Sequence, residues 1–435
     1  MTLAYAVVIG ATLWGAAAVV LWPGSVVIVA VAAFVGIMGA AFLISIGAEV
    51  SEFFIAQGLA IAAITLFETA PEMAVESAIA YQGKVALMLA NFTGSNRLLM
   101  GAGWPLIYVV AAVTNRQRHG QPLAEIRLRP ENILETLFLV APSVYLLFVV
   151  AKDTLTLLDS VVLAGMFVAY LALLNRLPPE EEESKEDVLP IARRLLEMPF
   201  RKTVILTLLL ILVGGGTILL VAEPFVNSLQ GLALATGVSA FFFIQWVAPF
   251  LSEFPESLIA FYWARRLRLA PMALLNLVAS KINQWTLLIL FIPVFYSLGL
   301  GHLAEVRLGA FQAREILLTV AMTAYGAVVL LKRSFTASNA ALLFTLWFFQ
   351  FLFPATFPGT GVDVRDATAV GFLLLAVVEL ALHRREIHPL RDLRTTAQLM
   401  RAHSGAHGTT APEVPADAAT PSATEDDPRA GTGRR

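Results

Sequence analysis

The chain has 435 residues, 58% of them apolar and 14% charged, with a mean hydropathy of +0.75 and a net charge of −2. That balance excludes an ordinary soluble domain, which is about 45–50% apolar and about 25% charged. The absence of cysteine excludes a disulfide framework and any thiolate metal site.

Most of the chain divides into runs of about 20 apolar residues, each long enough to cross a bilayer as a helix. Twelve spans are predicted. In the first half they lie at 3–22, 24–48, 52–81, 84–113, 131–151 and 155–174. In the second half they lie at 202–222, 233–264, 269–298, 312–332, 337–354 and 367–382. The first run, Leu3 to Leu21, lacks the basic start of a signal peptide, and a second run follows Pro23 directly, so both read as spans. Between the halves, Pro178 to Asp187 is too acidic for lipid, and Leu189 to Lys202 reads as a surface helix. From about Gly405 the chain is rich in Ala, Pro, Thr and acids, a composition that buries no core and predicts disorder.

The basic residues cluster after even-numbered spans. Arg116, Arg118, Arg127 and Arg129 follow span four, and Arg176, Arg193, Arg194, Arg201 and Lys202 follow span six. Arg265, Arg266 and Arg268 follow span eight, Lys332 and Arg333 follow span ten, and Arg384, Arg385, Arg391 and Arg394 follow span twelve. Such loops face the cytoplasm. The expectation is a multi-pass protein of the cell membrane with both termini cytoplasmic.

Two segments look alike. The first reads TLFETAPEM (Thr65 to Met73) and then NFTGSN (Asn91 to Asn96). The second reads LSEFPESL (Leu251 to Leu258) and then NLVASK (Asn276 to Lys281). Glu72 precedes Asn91 by 19 positions and Ser95 by 23; Glu256 precedes Asn276 by 20 and Ser280 by 24. With the loop orientation above, the first hairpin turns outside and the second inside. Broken helices at corresponding places of two inverted halves point to a transporter site near the midplane.

The chemistry follows from cost. A carboxylate at the centre of a membrane costs on the order of 2.5–3.5 kcal/mol on insertion scales, and persists where a cation, proton or partner offsets it. Pro71 and Pro255 each remove a backbone donor just before an acid, freeing carbonyls beside it. Ser95, Ser252, Ser280, Asn91 and Asn276 supply further oxygens, of the kind hard cations take six to eight at a time. Glu68 lies one turn before Glu72 on the same helix face. Glu68 and Glu253 are read either as ligands or as structural partners of Lys281 or Arg97.

These two segments resemble the alpha repeats of the sodium/calcium exchanger superfamily, the cation/Ca²⁺ antiporters, whose pattern is approximately G-T-S-x-P-E followed by G-N-x-x-G-S-N. The first keeps Thr69, Pro71, Glu72, Asn91, Gly94, Ser95 and Asn96; the second keeps Ser252, Pro255, Glu256, Asn276 and Ser280. The resemblance covers about residues 24–354. It implies an all-α inverted-repeat fold of about ten core helices, with one extra helix at each end. The division would be an extra helix at 1–23, a first repeat at 24–174 and a cytoplasmic linker at 175–201. A second repeat at 202–354, a further helix at 355–383 and a disordered tail at 384–435 would follow.

The resemblance also implies central acidic ligands at Glu72 and Glu256 and hydroxyl ligands at Ser95, Ser280 and Ser252. The chain departs from the pattern at Glu68, Glu253 and Leu99, at Gln284 or Asn283, and at Lys281, which replaces an Asn. A buried ammonium needs a partner, so Lys281 is expected against Glu68, Glu72, Glu253 or Glu256.

The function so implied is antiport of Ca²⁺ or another cation against Na⁺ or H⁺, with inorganic cations and the bilayer as partners, no resident cofactor and no nucleic acid. A second reading is a non-transporting homologue, a scaffold or sensor, in which Lys281 fills the cation site. An intramembrane enzyme using acids on Mg²⁺ is disfavoured by the lack of an Asp-rich loop, of His-Glu-x-x-His and of Gly-x-Ser-x-Gly.

Overall fold

The computed structural model describes residues 2–51, 53, 57–177, 188–352 and 363–407, and the side chains of all of these except 2–5, 57–65, 67–68, 351–352 and 403–407. The fold is helical. In the first half α1 (Thr2–Leu21), α2 (Val26–Ser51), α3 (Gln57–Tyr81), α4 (Val85–Leu98) and α5 (Trp104–His119) precede α6 (Ile133–Ala151) and α7 (Leu157–Leu174). A short α8 (Pro190–Leu196) leads into the second half: α9 (Phe200–Thr236), α10 (Ala240–Ala264), α11 (Ala270–Asn283), α12 (Ile289–Leu300), α13 (Ala310–Lys332) and α14 (Ala337–Leu352). Then come α15 (Val364–His383) and α16 (Pro389–His407). A helix stands at each of the predicted span positions. Among the described residues, eight helical segments are long and apolar enough to cross a membrane; α3 and α10, which carry the repeat acids, are not in that set.

Two boundaries differ from the sequence reading. The seventh helix was expected to end at 222, but α9 runs through Pro224 to Thr236, and α10 starts at Ala240 rather than near 233. The break falls where Gly237 takes φ +70°, a left-handed cap that a residue without Cβ adopts freely. A proline inside a helix removes one hydrogen bond and need not end it when the flanking turns stay apolar and packed. The stretch 384–435, expected to be disordered throughout, contains α16, whose Asp392 and Thr396 are buried and whose Asp392 pairs with Arg333 at 3.6 Å. The alternation of apolar and charged residues along α16 gives it an apolar face, which the compositional reading passed over.

Four short strands reveal the internal symmetry. β1 (Glu125–Arg127) and β4 (Ser334–Thr336) pair antiparallel, and so do β2 (Thr154–Leu155) and β3 (Val306–Arg307). Glu125-Ile-Arg-Leu128 recurs 180 positions later as Glu305-Val-Arg-Leu308, and Lys152-Asp-Thr-Leu-Thr156 as Lys332-Arg-Ser-Phe-Thr336. Exchanging the halves maps one ribbon onto the other, register included: Ile126 faces Phe335, and Val306 faces Leu155. The φ angles agree, +57° at Asp153 and +59° at Arg333, positions where most residues avoid the left-handed region. So do the helix starts. The Thr156 amide donates to Asp159 Oδ2 at 2.6 Å, and the Thr336 amide donates to Asn339 Oδ1 at 3.2 Å.

The ribbons mark opposite ends of the molecule. The α3–α4 turn lies at the β2–β3 end, where the Tyr81 carbonyl abuts Gly299 near the end of α12. The α10–α11 turn lies at the β1–β4 end, where Arg268 shares a recess with Arg127 and Arg129. The two repeat hairpins therefore run in opposite senses, as two inverted halves require. At their crossing α4 and α10 touch backbone to backbone: a Cβ at Gly94 would lie 2.0 Å from the Gln245 carbonyl oxygen. That close approach brings the acids of α3 and α10 to one place.

Candidate cation site

α3, α10 and α11 meet in the interior with their polar residues facing inward. Pro71 and Pro255 both lie inside their helices, one residue before Glu72 and Glu256. Glu72 and Glu256 are 4% and 6% exposed, and Glu253 is 2% exposed. The site is far from water, so every polar atom in it needs a partner or a cation.

The second repeat forms a local cradle. Ser280 donates its hydroxyl to Glu256 Oε2 at 2.9 Å, and Asn276 Nδ2 lies 3.5 Å from Glu256 Oε1. The first repeat is arranged differently. Asn91 donates not to Glu72 but to Glu76 Oε2, at 2.8 Å, and Ser95 Oγ is buried without a hydrogen-bond partner among the described residues. Glu72 is instead joined to Glu253 of α10 by a side chain of α11 and its bulge. Gln284 closes the group: its Nε2 donates to Glu72 Oε2 at 3.1 Å and also to Glu253 Oε1.

Gln284 begins a five-residue π-helical turn, Gln284–Leu288, and Leu99 begins its counterpart, Leu99–Gly103. Each turn starts four residues after the hairpin serine, Ser280 or Ser95. Such one-turn bulges widen a helix locally and often mark functional positions. Here the bulge presents Gln284 to the acids, while Leu99 supplies only an apolar side chain on the other side.

Glu253 Oε2 and Gln284 Oε1 are buried with no hydrogen-bond partner among the described residues, and Glu76 Oε1 is likewise unpartnered. Among the described residues no three acids or histidines converge closely enough to grip an ion alone. The oxygen set is mixed, of carboxylates, one amide and hydroxyls. Glu68 lies outside the described side chains.

Lys281 is not against an acid. Its Nζ donates to the Asn96 main-chain oxygen at 3.0 Å and to Asn96 Oδ1, and lies 5.8 Å from the centre of the Trp285 ring. In return Asn96 Nδ2 reaches the Lys281 carbonyl at 3.4 Å. Asn96 and Lys281 hold equivalent places in the two repeats, and equivalent residues meet where a two-fold axis passes between them. The Lys281–Asn96 contact thus seals the junction between repeats. Arg97, expected beside Glu68 or Glu253, pairs with Glu315 of α13.

Sequence reasoning missed two positions. Glu76 lies one turn beyond Glu72, a spacing that puts both on one face, so it was readable from the same rule that selected Glu68. Glu315 is a lone acid in an apolar run, and the 180-position repeat that relates it to Glu135 was the available signal.

The sodium/calcium exchanger protein profile matches residues 24–175 and 206–356. No curated protein sequence matches the chain. The crystal structure of the H⁺/Ca²⁺ exchanger CAX superposes with a TM-score of 0.80 at 29% identity, over 92% of this chain and 98% of that one. Native YfkE superposes with a TM-score of 0.57 at 12% identity, over 85% of this chain and 100% of that one. The sodium-calcium exchanger NCX_Mj gives a TM-score of 0.47 at 19% identity, over 72% of this chain and 93% of that one. The chain belongs to the sodium/calcium exchanger protein family and is a multi-pass membrane antiporter of cations, not an enzyme.

Proposed function

We propose that the chain exchanges a divalent cation, Ca²⁺ or one of similar chemistry, for protons at the Glu72–Glu256 centre. The observation that carries this reading is that one amide, Gln284 Nε2, donates to both Glu72 and Glu253, which holds two buried carboxyl groups side by side. Two carboxyl groups held this close call for a proton or a cation between them, because like charges repel strongly in a low dielectric. A divalent cation takes the place of that proton by drawing both carboxylates to itself. Alternate occupation by proton and cation is what couples their movement.

The donors in this reading are Glu72, Glu253 and Glu256 with Ser252, Ser280, Asn276 and the Gln284 amide oxygen. Glu68, Ser95 and Asn91 belong to the same ligand region from the first repeat, with Asn91 acting through Glu76. These oxygens suit a hard cation. Similarity to an H⁺/Ca²⁺ exchanger at 29% identity supports the same choice. The alternative in which Lys281 fills the site loses support, because its Nζ is engaged by Asn96. The repeats would be residues 24–174 and 202–354, joined by the linker 175–201 and flanked by extra helices at 1–23 and 355–383. The β1–β4 end and both termini would face the cytoplasm of the cell membrane.

The test is Ca²⁺ uptake into proteoliposomes driven by an imposed pH gradient, with Na⁺ and K⁺ gradients as controls. Uptake should follow the proton gradient, with proton movement in the opposite sense. Uptake that follows only a Na⁺ gradient would reject proton coupling.

A further inference from the structure

At the β1–β4 end a recess of about 50 Å³ opens between the two repeats. Arg127, Arg129 and Asn132 line it from the first repeat; Arg268, Pro271 and Leu275 line it from the second. None of its lining residues is acidic. The volume holds a few waters or one phosphate-sized anion. Arg127 meets Glu125 at 3.4 Å, and its side chain is 82% exposed. An exposed ion pair at such a distance holds a guanidinium weakly, so a phosphate, which accepts paired hydrogen bonds from the planar guanidinium, competes well for Arg127.

The surroundings favour one source for that phosphate. Arg116 and Arg118 lie in the last turn of α5, which leads to β1, and Arg265 and Arg266 lead into the α10–α11 turn. α16, with Arg391 and Arg394, packs beside the Pro130–Asn132 turn. A collar of this kind at the mouth of a helix bundle faces anionic headgroups. Pro271 and Leu275 add an apolar wall next to the charges, suited to the glycerol and the first methylenes of a lipid and of no use to a free ion.

We propose that this recess binds the phosphate group of an anionic phospholipid, which bridges Arg127 and Arg129 of one repeat to Arg268 of the other. Leu275 precedes Asn276 in α11, the helix that also carries Ser280. The bound headgroup therefore pins the base of a helix that forms part of the cation site. The inference concerns binding and holds whichever ions the chain exchanges.

The experiment is native mass spectrometry of the full-length protein in detergent, titrated with phosphatidylglycerol, phosphatidylcholine or inorganic phosphate. Phosphatidylglycerol should bind in preference to phosphatidylcholine. Affinity should fall about fivefold for Arg127→Gln and about 25-fold for Arg127→Gln with Arg268→Gln. Arg127 lies on the surface, so its single variant keeps the reading interpretable if the double variant folds poorly. Equal affinity of wild type and Arg127→Gln for phosphatidylglycerol would overturn the site. Displacement of the lipid by inorganic phosphate at equal concentration would overturn the lipid as its occupant.

Discussion

Replacing Glu315 tests the buried charge network that joins four helices next to the candidate cation site. Glu315 of α13 accepts from Arg97 of α4, from Gln245 of α10 at 2.8 Å and from Arg365 of α15 at 3.0 Å. The side chains of Arg97 and Glu315 are 1% and 3% exposed, and that of Arg365 is 16% exposed. At 3.0 Å and an effective dielectric near 20, one such pair attracts with about 5.5 kcal/mol. Desolvating the ions costs several kcal/mol each, so the network's net value is small while breaking it is expensive. Glu315→Gln keeps the shape but leaves Arg97 buried without an anion, and should cost about 3–5 kcal/mol. Arg97→Met leaves Glu315 with Arg365 and Gln245, and should cost about 1–3 kcal/mol. The double variant should recover part of the Glu315→Gln loss. Denaturant unfolding of the purified proteins in detergent measures all three. If Arg97→Met cost more than Glu315→Gln, or if the two losses simply added, the account of Arg97 as the stranded charge would be wrong.

Other perturbations probe the site itself. Glu72→Gln and Glu256→Gln should each bring proteoliposome Ca²⁺ flux to background while the protein still purifies as a folded monodisperse species; retained flux in either would make that acid structural. Gly94→Ala puts a methyl group 2.0 Å from the Gln245 carbonyl and should destabilise by about 1–3 kcal/mol and slow transport by forcing α4 from α10, read by unfolding and flux together. Lys281→Met removes the bonds to Asn96 and should cost about 1–3 kcal/mol of stability, yet leave the Ca²⁺ dependence of flux unchanged; a large change in ion preference would return the lysine to the site. Lys84→Cys should be labelled from outside and Arg265→Cys only from inside, because the two turns lie at opposite ends. External labelling of both would sink the inverted arrangement.

The helices and their inverted order were legible in the sequence because each depends on local composition. A run of about 20 apolar residues has one economical conformation in lipid, the helix, since no water is present to satisfy its backbone. Loop charge orders the helices without reference to their packing. Glu72 and Glu256 stood out because a proline next to an acid in such a run is costly, and Ser280 and Asn276 stood out because Asn and Ser recur about one membrane crossing behind each Pro-Glu pair. Both lie against Glu256 in the fold.

The partners of the remaining polar groups depended on how α3, α4, α10 and α11 cross. Sequence spacing grouped Asn91 with Glu72, but helix rotation turns it to Glu76. Repeat position placed Lys281 among carboxylates, but its closeness to the pseudo-two-fold axis hands it to Asn96. Glu253 lies three residues before Glu256, and only the meeting of α3, α10 and the bulge after α11 puts it on the same Gln284 amide as Glu72. Local sequence fixes which face of a helix carries a charge. Which charge on another helix it meets is set by a crossing that Gly94 permits and that no stretch of either helix encodes alone, since the energy of the contact belongs to both surfaces at once.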